Sequence, residues 1–134
     1  IHAHIANSRK DWEHKTTTEI VNRARLIVVG NVSSLKMTKT RMAKSTLDAG
    51  WGHLRSMLAY KANRLGVQYY EANESGSTVT CSACLAKTGP SGLSNLGIRV
   101  WCCTSCGVLH NRDTNAAHNI LRYGRVALSG IPRL

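Results

Sequence analysis

Four cysteines set the first chemical expectation. Cys81-x-x-Cys84 and Cys103-x-x-Cys106 are two tight pairs with 18 residues between them. A CxxC turn aims two thiolates at one point, and two such turns close a tetrahedron of sulfurs around a metal. Zn2+ suits that set, so Cys81, Cys84, Cys103 and Cys106 are its expected ligands. Four protein ligands leave no open coordination position, which makes the site structural rather than catalytic. Rubredoxin-like iron and a pair of disulfides are the competing readings. Gly107 follows the second pair, where the knuckle needs an open backbone conformation. Cys102 is left over and reads as a small, half-buried strand residue. His110 is either a further ligand or a hydrogen-bonded histidine. The second is favoured, because four cysteines suffice.

Carboxylates are scarce, seven in 134 residues. Asp113 lies in Asn111-Arg112-Asp113-Thr114-Asn115, where the last helix is expected to begin. It either caps that helix by accepting from free backbone N–H groups or is held rigidly there to bind a divalent cation. Glu71 and Glu74 follow an expected strand, a natural place for an active-site carboxylate in an α/β fold, though surface loops also hold many glutamates. Phosphodiester hydrolysis by two metals needs about three or four carboxylates. Glu74 and Asp113 supply two, so this chain is short of a full set.

The elements that must position these groups follow from hydrophobic pattern. Residues 2–24 lack Gly and Pro and read as helix, with Ile1, Ile5, Trp12, Ile20 and Ala24 on one face. Thr16-Thr17-Thr18 is the place where it would break, since β-branched residues lower helix propensity. Leu26-Ile27-Val28-Val29, bounded by Gly30-Asn31, reads as a buried strand because its apolar run does not alternate. Residues 32–40 read as loop. Residues 45–65 read as helix, with Gly50-Trp51-Gly52 as a weak point. Trp51, Leu54, Leu58, Ala62 and Leu65 form its apolar stripe, with Arg55, Lys61 and Arg64 largely outside it, toward solvent or phosphate. Gly66 caps it, and Val67 to Tyr70 gives a second strand. Strand, helices, strand implies an α/β layer. Residues 81–110 hold all five cysteines and four of the eleven glycines, as suits a module held by metal rather than by a core. Helix resumes near Thr114.

The chain carries 18 Lys plus Arg against seven Asp plus Glu, a formal charge of +11. Such an excess favours a polyanionic partner, with nucleic acid the usual one. Nine basic residues and one acidic residue fall between Ile20 and Tyr70, so the basic face is expected there. Lys36, Lys39, Arg41 and Lys44 are the expected phosphate contacts, with Arg112 as a separate nucleic-acid contact beside Asp113. No signal peptide opens the chain and no apolar run approaches the roughly 18 residues of a membrane span. A reduced, cytoplasmic protein with no membrane partner is expected. The opening Ile1-His2-Ala3-His4 has no initiator Met and reads as the middle of a helix, so a piece of a longer protein is expected.

Several of these motifs together resemble one family. Cys81-Ser82-Ala83-Cys84, then Cys103-Thr104-Ser105-Cys106-Gly107, then Arg112-Asp113-Thr114-Asn115-Ala116-Ala117-His118-Asn119-Ile120-Leu121 is similar to the C-terminus of the TnpB/OrfB family. These are transposon-encoded proteins related to the type V CRISPR effectors. Upstream, Arg9-Lys10-Asp11-Trp12-Glu13-His14-Lys15 resembles the family's basic helix, and Leu26 to Val32 its second RuvC strand. The resemblance implies an α/β fold: the C-terminal part of a RuvC (RNase H-like) domain with an inserted four-cysteine zinc ribbon. It divides the chain into RuvC-like residues 1–78, ribbon 79–110, and RuvC-like helix and tail 111–134.

The same resemblance implies guide RNA and DNA as partners, Mg2+ as the catalytic cation of the full-length protein, and Asp113 as the family's final catalytic Asp. Many relatives keep a catalytic Glu where this chain has Gly30, and a glycine side chain cannot bind metal. Either the site is dead or the carboxylate comes from elsewhere. One subgroup places it before the ribbon, and Glu74 is the matching residue, so Glu74 and Asp113 are expected to face each other. The first catalytic Asp would precede Ile1, which leaves this piece inactive by itself. The rival readings are a nuclease-inactive nucleic-acid-binding module and a ribbon protein of transcription or translation. The latter fits the cysteines but not the run from Arg112 to Leu121.

Overall fold

The computed structural model describes residues 2–31 and 43–129. Its elements are α1 (His2–Arg23), β1 (Leu26–Gly30), α2 (Ala43–Leu65), β2 (Gln68–Ala72), a 3-10 turn at Leu93–Asn95, β3 (Val100–Cys102), β4 (Leu109–Asn111) and α3 (Arg112–Ser129). The fold is therefore mixed α/β. β1 and β2 pair as one two-stranded sheet, and β3 and β4 as another. Gln68 N donates to Arg25 O at 3.2 Å where the first sheet opens, and Asn31 N donates to Ala72 O at 2.7 Å where it closes. These bonds make β1 and β2 run in the same direction. Among the described residues no helix is long and apolar enough to cross a membrane.

Contacts cluster in two units. The first holds α1, α2 and the opening residues of β1 and β2. Among the described residues, Val21, Ile27, Met57, Leu58 and Ala62 are its buried apolar ones. α1 runs unbroken through Thr16-Thr17-Thr18. Thr17 Oγ1 donates to Glu13 O at 2.7 Å and Thr18 Oγ1 to His14 O at 2.8 Å, so the hydroxyls are satisfied inside the helix. α2 is likewise continuous across Gly50-Trp51-Gly52.

The face of α1 differs from the sequence expectation, and that of α2 differs at its ends while Leu58 and Ala62 of the expected stripe are buried. Ile5, Trp12 and Ile20 are exposed, Trp12 at 60%. The buried line of α1 is instead Glu13, Thr17 and Val21, one turn apart. On α2, Trp51 and Leu65 are exposed while Met57 is buried. Lys61, expected at the solvent, reaches α1. Its Nζ donates to His14 O at 2.8 Å, Thr17 Oγ1 at 2.7 Å and Thr18 Oγ1 at 2.9 Å. His53 Nδ1 meets Glu13 Oε2 at 2.6 Å. Polar pairing with α2 has thus selected the inner face of α1, which an apolar count alone misplaces. Burial lowers the Lys61 pKa from its ordinary value. α2 ends at Gly66, where φ is +71° and Val67 N donates to Ala62 O at 2.9 Å, a helix-closing bond that glycine permits.

The second unit holds the rest of β1 and β2, the cysteine segment and α3. Here α3 comes close to β1. Gly124 is buried, and a side chain there would meet both methyls of Val28. β3 and β4 are antiparallel, with Val100 opposite Asn111, Trp101 opposite His110 and Cys102 opposite Leu109. Trp101 and His110 are buried together, their ring centroids 4.7 Å apart. Alternation then puts Cys102 on the outer face. Its thiol is exposed, which corrects the half-buried placement.

Candidate metal centre and carboxylates

Two knuckles of matching hydrogen bonding carry the four cysteines. In the first, Cys81 N donates to Ala86 O and Leu85 N to Cys81 O, both at 2.8 Å. In the second, Cys103 N donates to Val108 O and Gly107 N to Cys103 O, both at 2.9 Å. Each knuckle turns through positive φ at the residue after its second cysteine, +69° at Leu85 and +77° at Gly107. Glycine takes that conformation freely, whereas Leu85 takes it against the clash of its Cβ.

The resulting sulfurs form one cluster. All four ligand atoms lie within 4.8 Å of one another. Cys81 Sγ is 3.7 Å from Cys106 Sγ, and Cys84 Sγ is 3.7 Å from Cys103 Sγ. A tetrahedron with metal–sulfur bonds of about 2.3 Å has edges of about 3.8 Å. The cysteine set therefore fits a single metal ion coordinated on all four corners. Disulfides are ruled out by the same separations, since S–S bonds are about 2.05 Å.

Neighbouring groups tune these sulfurs. His110 Nε2 lies 2.9 Å from Cys81 Sγ, so His110 takes the hydrogen-bonding role. Thr88 Oγ1 donates to Cys103 Sγ at 3.0 Å. That bond, followed by the Cys106 amide, pulls the Cys103 pKa down to about 6. At Cys106 the Val108 amide acts in the same lowering direction. Desolvation and the sulfurs of Cys84, Cys103 and Cys81 outweigh it, and the pKa is pushed up to about 12. A negative charge on Cys106 is thus disfavoured beside the other sulfurs unless a cation offsets it, which is the electrostatic case for a metal.

The carboxylates depart from the simplest expectation. Asn111, not Asp113, caps α3: its Oδ1 accepts from Asp113 N at 3.1 Å and Thr114 N at 3.2 Å. The Asp113 side chain is left 78% exposed, with Arg99 Nη1 3.6 Å away. Glu74 lies just beyond β2. A Cβ built on Gly30 would collide with Glu74 Oε2 and come within 3.3 Å of Glu74 Cβ. The Glu74 carboxylate thus sits where a side chain at the end of β1 would begin. Arg112 is only 8% exposed, and its Nη1 donates to Asn95 O at 2.8 Å. It turns inward instead of joining an exposed basic face. Lys36, Lys39 and Arg41 lie outside the described residues, and Lys44 belongs to the first turn of α2.

Two residues of the Arg112-to-Leu121 run carry a structural role that the sequence reading does not assign. Asn115 and Asn119 are 1% and 0% exposed. Each donates from Nδ2 to both Ser77 O and Thr80 O, at 2.7 to 3.3 Å. The available signal was two amides four residues apart on one helix face, among Ala116, Ala117 and Ile120. Nothing in the spacing of Arg99 marks it.

Comparison with known proteins places these features in a wider set. Residues 51–120 match the family described as Cas12f1-like, TNB domain. A Streptomyces pristinaespiralis protein provisionally named an RNA-guided DNA endonuclease is 34% identical over 129 residues, covering 95% of this chain and 31% of that protein. TnpB-like protein L79 of Acanthamoeba polyphaga mimivirus is 32% identical over 130 residues, covering 92% of this chain and 24% of that protein. The chain thus spans a third or less of these two relatives. A chain of the cryo-EM structure of a Cas12f1–sgRNA–target DNA complex shares the fold, with a TM-score of 0.65 over 89% of this chain and 35% of that one. At 18% identity this likeness concerns the fold alone.

Proposed function

Because the chain belongs to the Cas12f1-like TNB-domain family, we propose that it forms the C-terminal, RuvC-type nuclease portion of an RNA-guided DNA endonuclease. In this reading residues 79–110 are a ribbon inserted between RuvC-like residues 1–78 and 111–134. Zn2+ occupies the four-cysteine cluster and serves folding, because no coordination position is open to substrate. Glu74 and Asp113 are two carboxylates of the catalytic set, and an Asp elsewhere in the full-length protein completes it. Mg2+ held by that set would activate water and stabilise the leaving oxygen of a DNA phosphodiester. Partners are guide RNA and DNA in the cytoplasm. Lys36, Lys39, Arg41 and Lys44 contact phosphate, so binding weakens steeply with salt.

One observation carries the assignment of Glu74. Its carboxylate fills the space left by the missing side chain of Gly30, at the end of β1. A carboxylate anchored beyond the neighbouring strand thereby reaches the spot that a β1 residue would otherwise serve. Asp113 complements it, since Asn111 takes over capping and the Asp113 carboxylate stays exposed, with Arg99 as its neighbour.

The test uses the full-length protein with its guide RNA. Glu74→Gln and Asp113→Asn abolish DNA cleavage and leave DNA binding nearly intact, whereas Glu71→Gln cuts normally. Cleavage that survives Glu74→Gln removes Glu74 from the catalytic set. A wild-type protein that binds DNA tightly but never cuts it establishes the binding-module reading instead.

A further inference from the structure

The segment between Glu74 and the first knuckle has little apolar anchorage. It runs Glu74-Ser75-Gly76-Ser77-Thr78-Val79-Thr80, a series of tight turns. Ser77 N donates to Glu74 O at 3.0 Å, and Thr80 N to Gly76 O at 3.0 Å. Two of its carbonyls, Ser77 O and Thr80 O, face the interior and need donors there. Asn115 and Asn119 supply them. Asn119 Nδ2 donates at 2.8 Å and 2.7 Å, and Asn115 Nδ2 at 3.3 Å and 2.9 Å.

The orientation of both amides is forced. A carbonyl only accepts, so the NH2 end of each side chain must face the two carbonyls. The other ends are engaged too. Asn115 Oδ1 accepts from Ser82 N at 2.8 Å, inside the first knuckle, and Asn119 Oδ1 accepts from Arg122 Nη2 at 3.1 Å. Two buried side chains on α3 therefore grip the chain from three residues after Glu74 to the residue after Cys81. Asp113 lies two residues before Asn115 on the same helix. A short hydrogen-bonded path thus joins Glu74 to the turn that carries Asp113: Glu74 O, Ser77 N, Ser77 O, the paired amides, α3.

We infer that Asn115 and Asn119 are positioning residues, a two-amide clamp that sets the Glu74 turn against the first turn of α3 and ties both to the first cysteine knuckle. The inference rests on the assignment of Glu74 and Asp113 above. The clamp is redundant, since each carbonyl keeps one donor when either asparagine is lost. Single variants therefore loosen the carboxylates without emptying the interior of donors.

The experiment uses the full-length protein with its guide RNA and compares Asn119→Ala and Asn115→Ala with wild type. Four quantities are read: zinc content, DNA binding, Mn2+ affinity by calorimetry, and the metal concentration for half-maximal cleavage. Zinc content and DNA binding stay as in wild type. Mn2+ affinity falls, and the half-saturating metal rises, by about tenfold, the low end of what an outer support of a metal site contributes. Saturating metal restores much of the rate. If Asn119→Ala does not fold, Asn119→Ser, which keeps a shorter donor, carries the same measurements. A variant that melts at lower temperature with unchanged Mn2+ affinity and unchanged half-saturation overturns the inference and leaves the clamp purely structural. Glu74→Gln separates the two claims. If it cuts normally, the catalytic assignment fails first. If it is dead while the asparagine variants titrate with metal as wild type does, the clamp fails alone.

Discussion

Substitution of Gly30 by alanine tests whether Glu74 must occupy the place it has. Gly30 is not among the residues with positive φ, so its backbone accepts a side chain and only space is at issue. The new Cβ would overlap the Glu74 carboxylate and lie 3.2 Å from Ile120 Cδ1 and 3.3 Å from Glu74 Cβ. The last two contacts give by a few tenths of an ångström. The carboxylate is the free end of a flexible side chain, so it swings away at small cost. The stability loss therefore falls at the low end of overpacking, about 1 kcal/mol. The catalytic effect is much larger, because a displacement of about 1 Å at a reacting centre costs about a hundredfold in rate. The assay pairs thermal melting with single-turnover cleavage at saturating guide RNA and DNA. We expect a small melting shift, normal zinc content, and a loss of cleavage of about two orders of magnitude. Adding Glu74→Asp, which shortens the side chain, returns part of the rate in the Gly30→Ala background. If Gly30→Ala cuts at the wild-type rate, the link between this cavity and catalysis is wrong.

Other consequences follow from the same packing and electrostatics. Gly124→Ala drives a methyl into the branched side chain of Val28 and destabilises the chain by about 1–3 kcal/mol in chemical denaturation, with partial relief from Val28→Ala. Leu85→Gly removes the strain of positive φ from the first knuckle and raises stability by up to about 1 kcal/mol, measured as a higher midpoint of thermal unfolding in the zinc-loaded protein. For the metal-free form, Cys103 is lowered from 9.0 to about 6. Between pH 6 and pH 9 the unfolded chain holds a proton there that the folded chain lacks, so stability rises with pH across that window. Cys106 is raised from 9.0 to about 12 and acts oppositely above pH 9, where the folded chain keeps the proton. In whatever folded state the metal-free protein keeps, these two thiols together favour folding most near pH 9, read by circular dichroism against pH, and a contribution that falls steadily from pH 6 to pH 9 contradicts this account.

The cysteine spacing was legible because a CxxC turn is local: chain geometry over four residues aims both thiols, whatever the surroundings. The strands around Leu26 and Tyr69 and the helix end at Gly66 were legible for the same reason. The buried face of α1 was not. An apolar count placed Trp12 and Ile20 inward, but Glu13, Thr17 and Lys61 form the polar contact between α1 and α2. Burial of a polar residue depends on a partner more than 40 residues away, which no local pattern encodes.

The candidate site divides along the same line. The sequence alone determined which groups are able to bind metal: four thiols at fixed spacing, and few carboxylates. It also determined that Gly30 offers no ligand. Only the tertiary structure decided that Glu74 occupies the space beside Gly30, that Asn111 rather than Asp113 caps α3, and that Arg112 turns inward to Asn95. Ligand type is a property of the residue. Position is set by the hydrogen bonds and close contacts of distant segments, and those exist only once β1, the turn after β2 and α3 have packed.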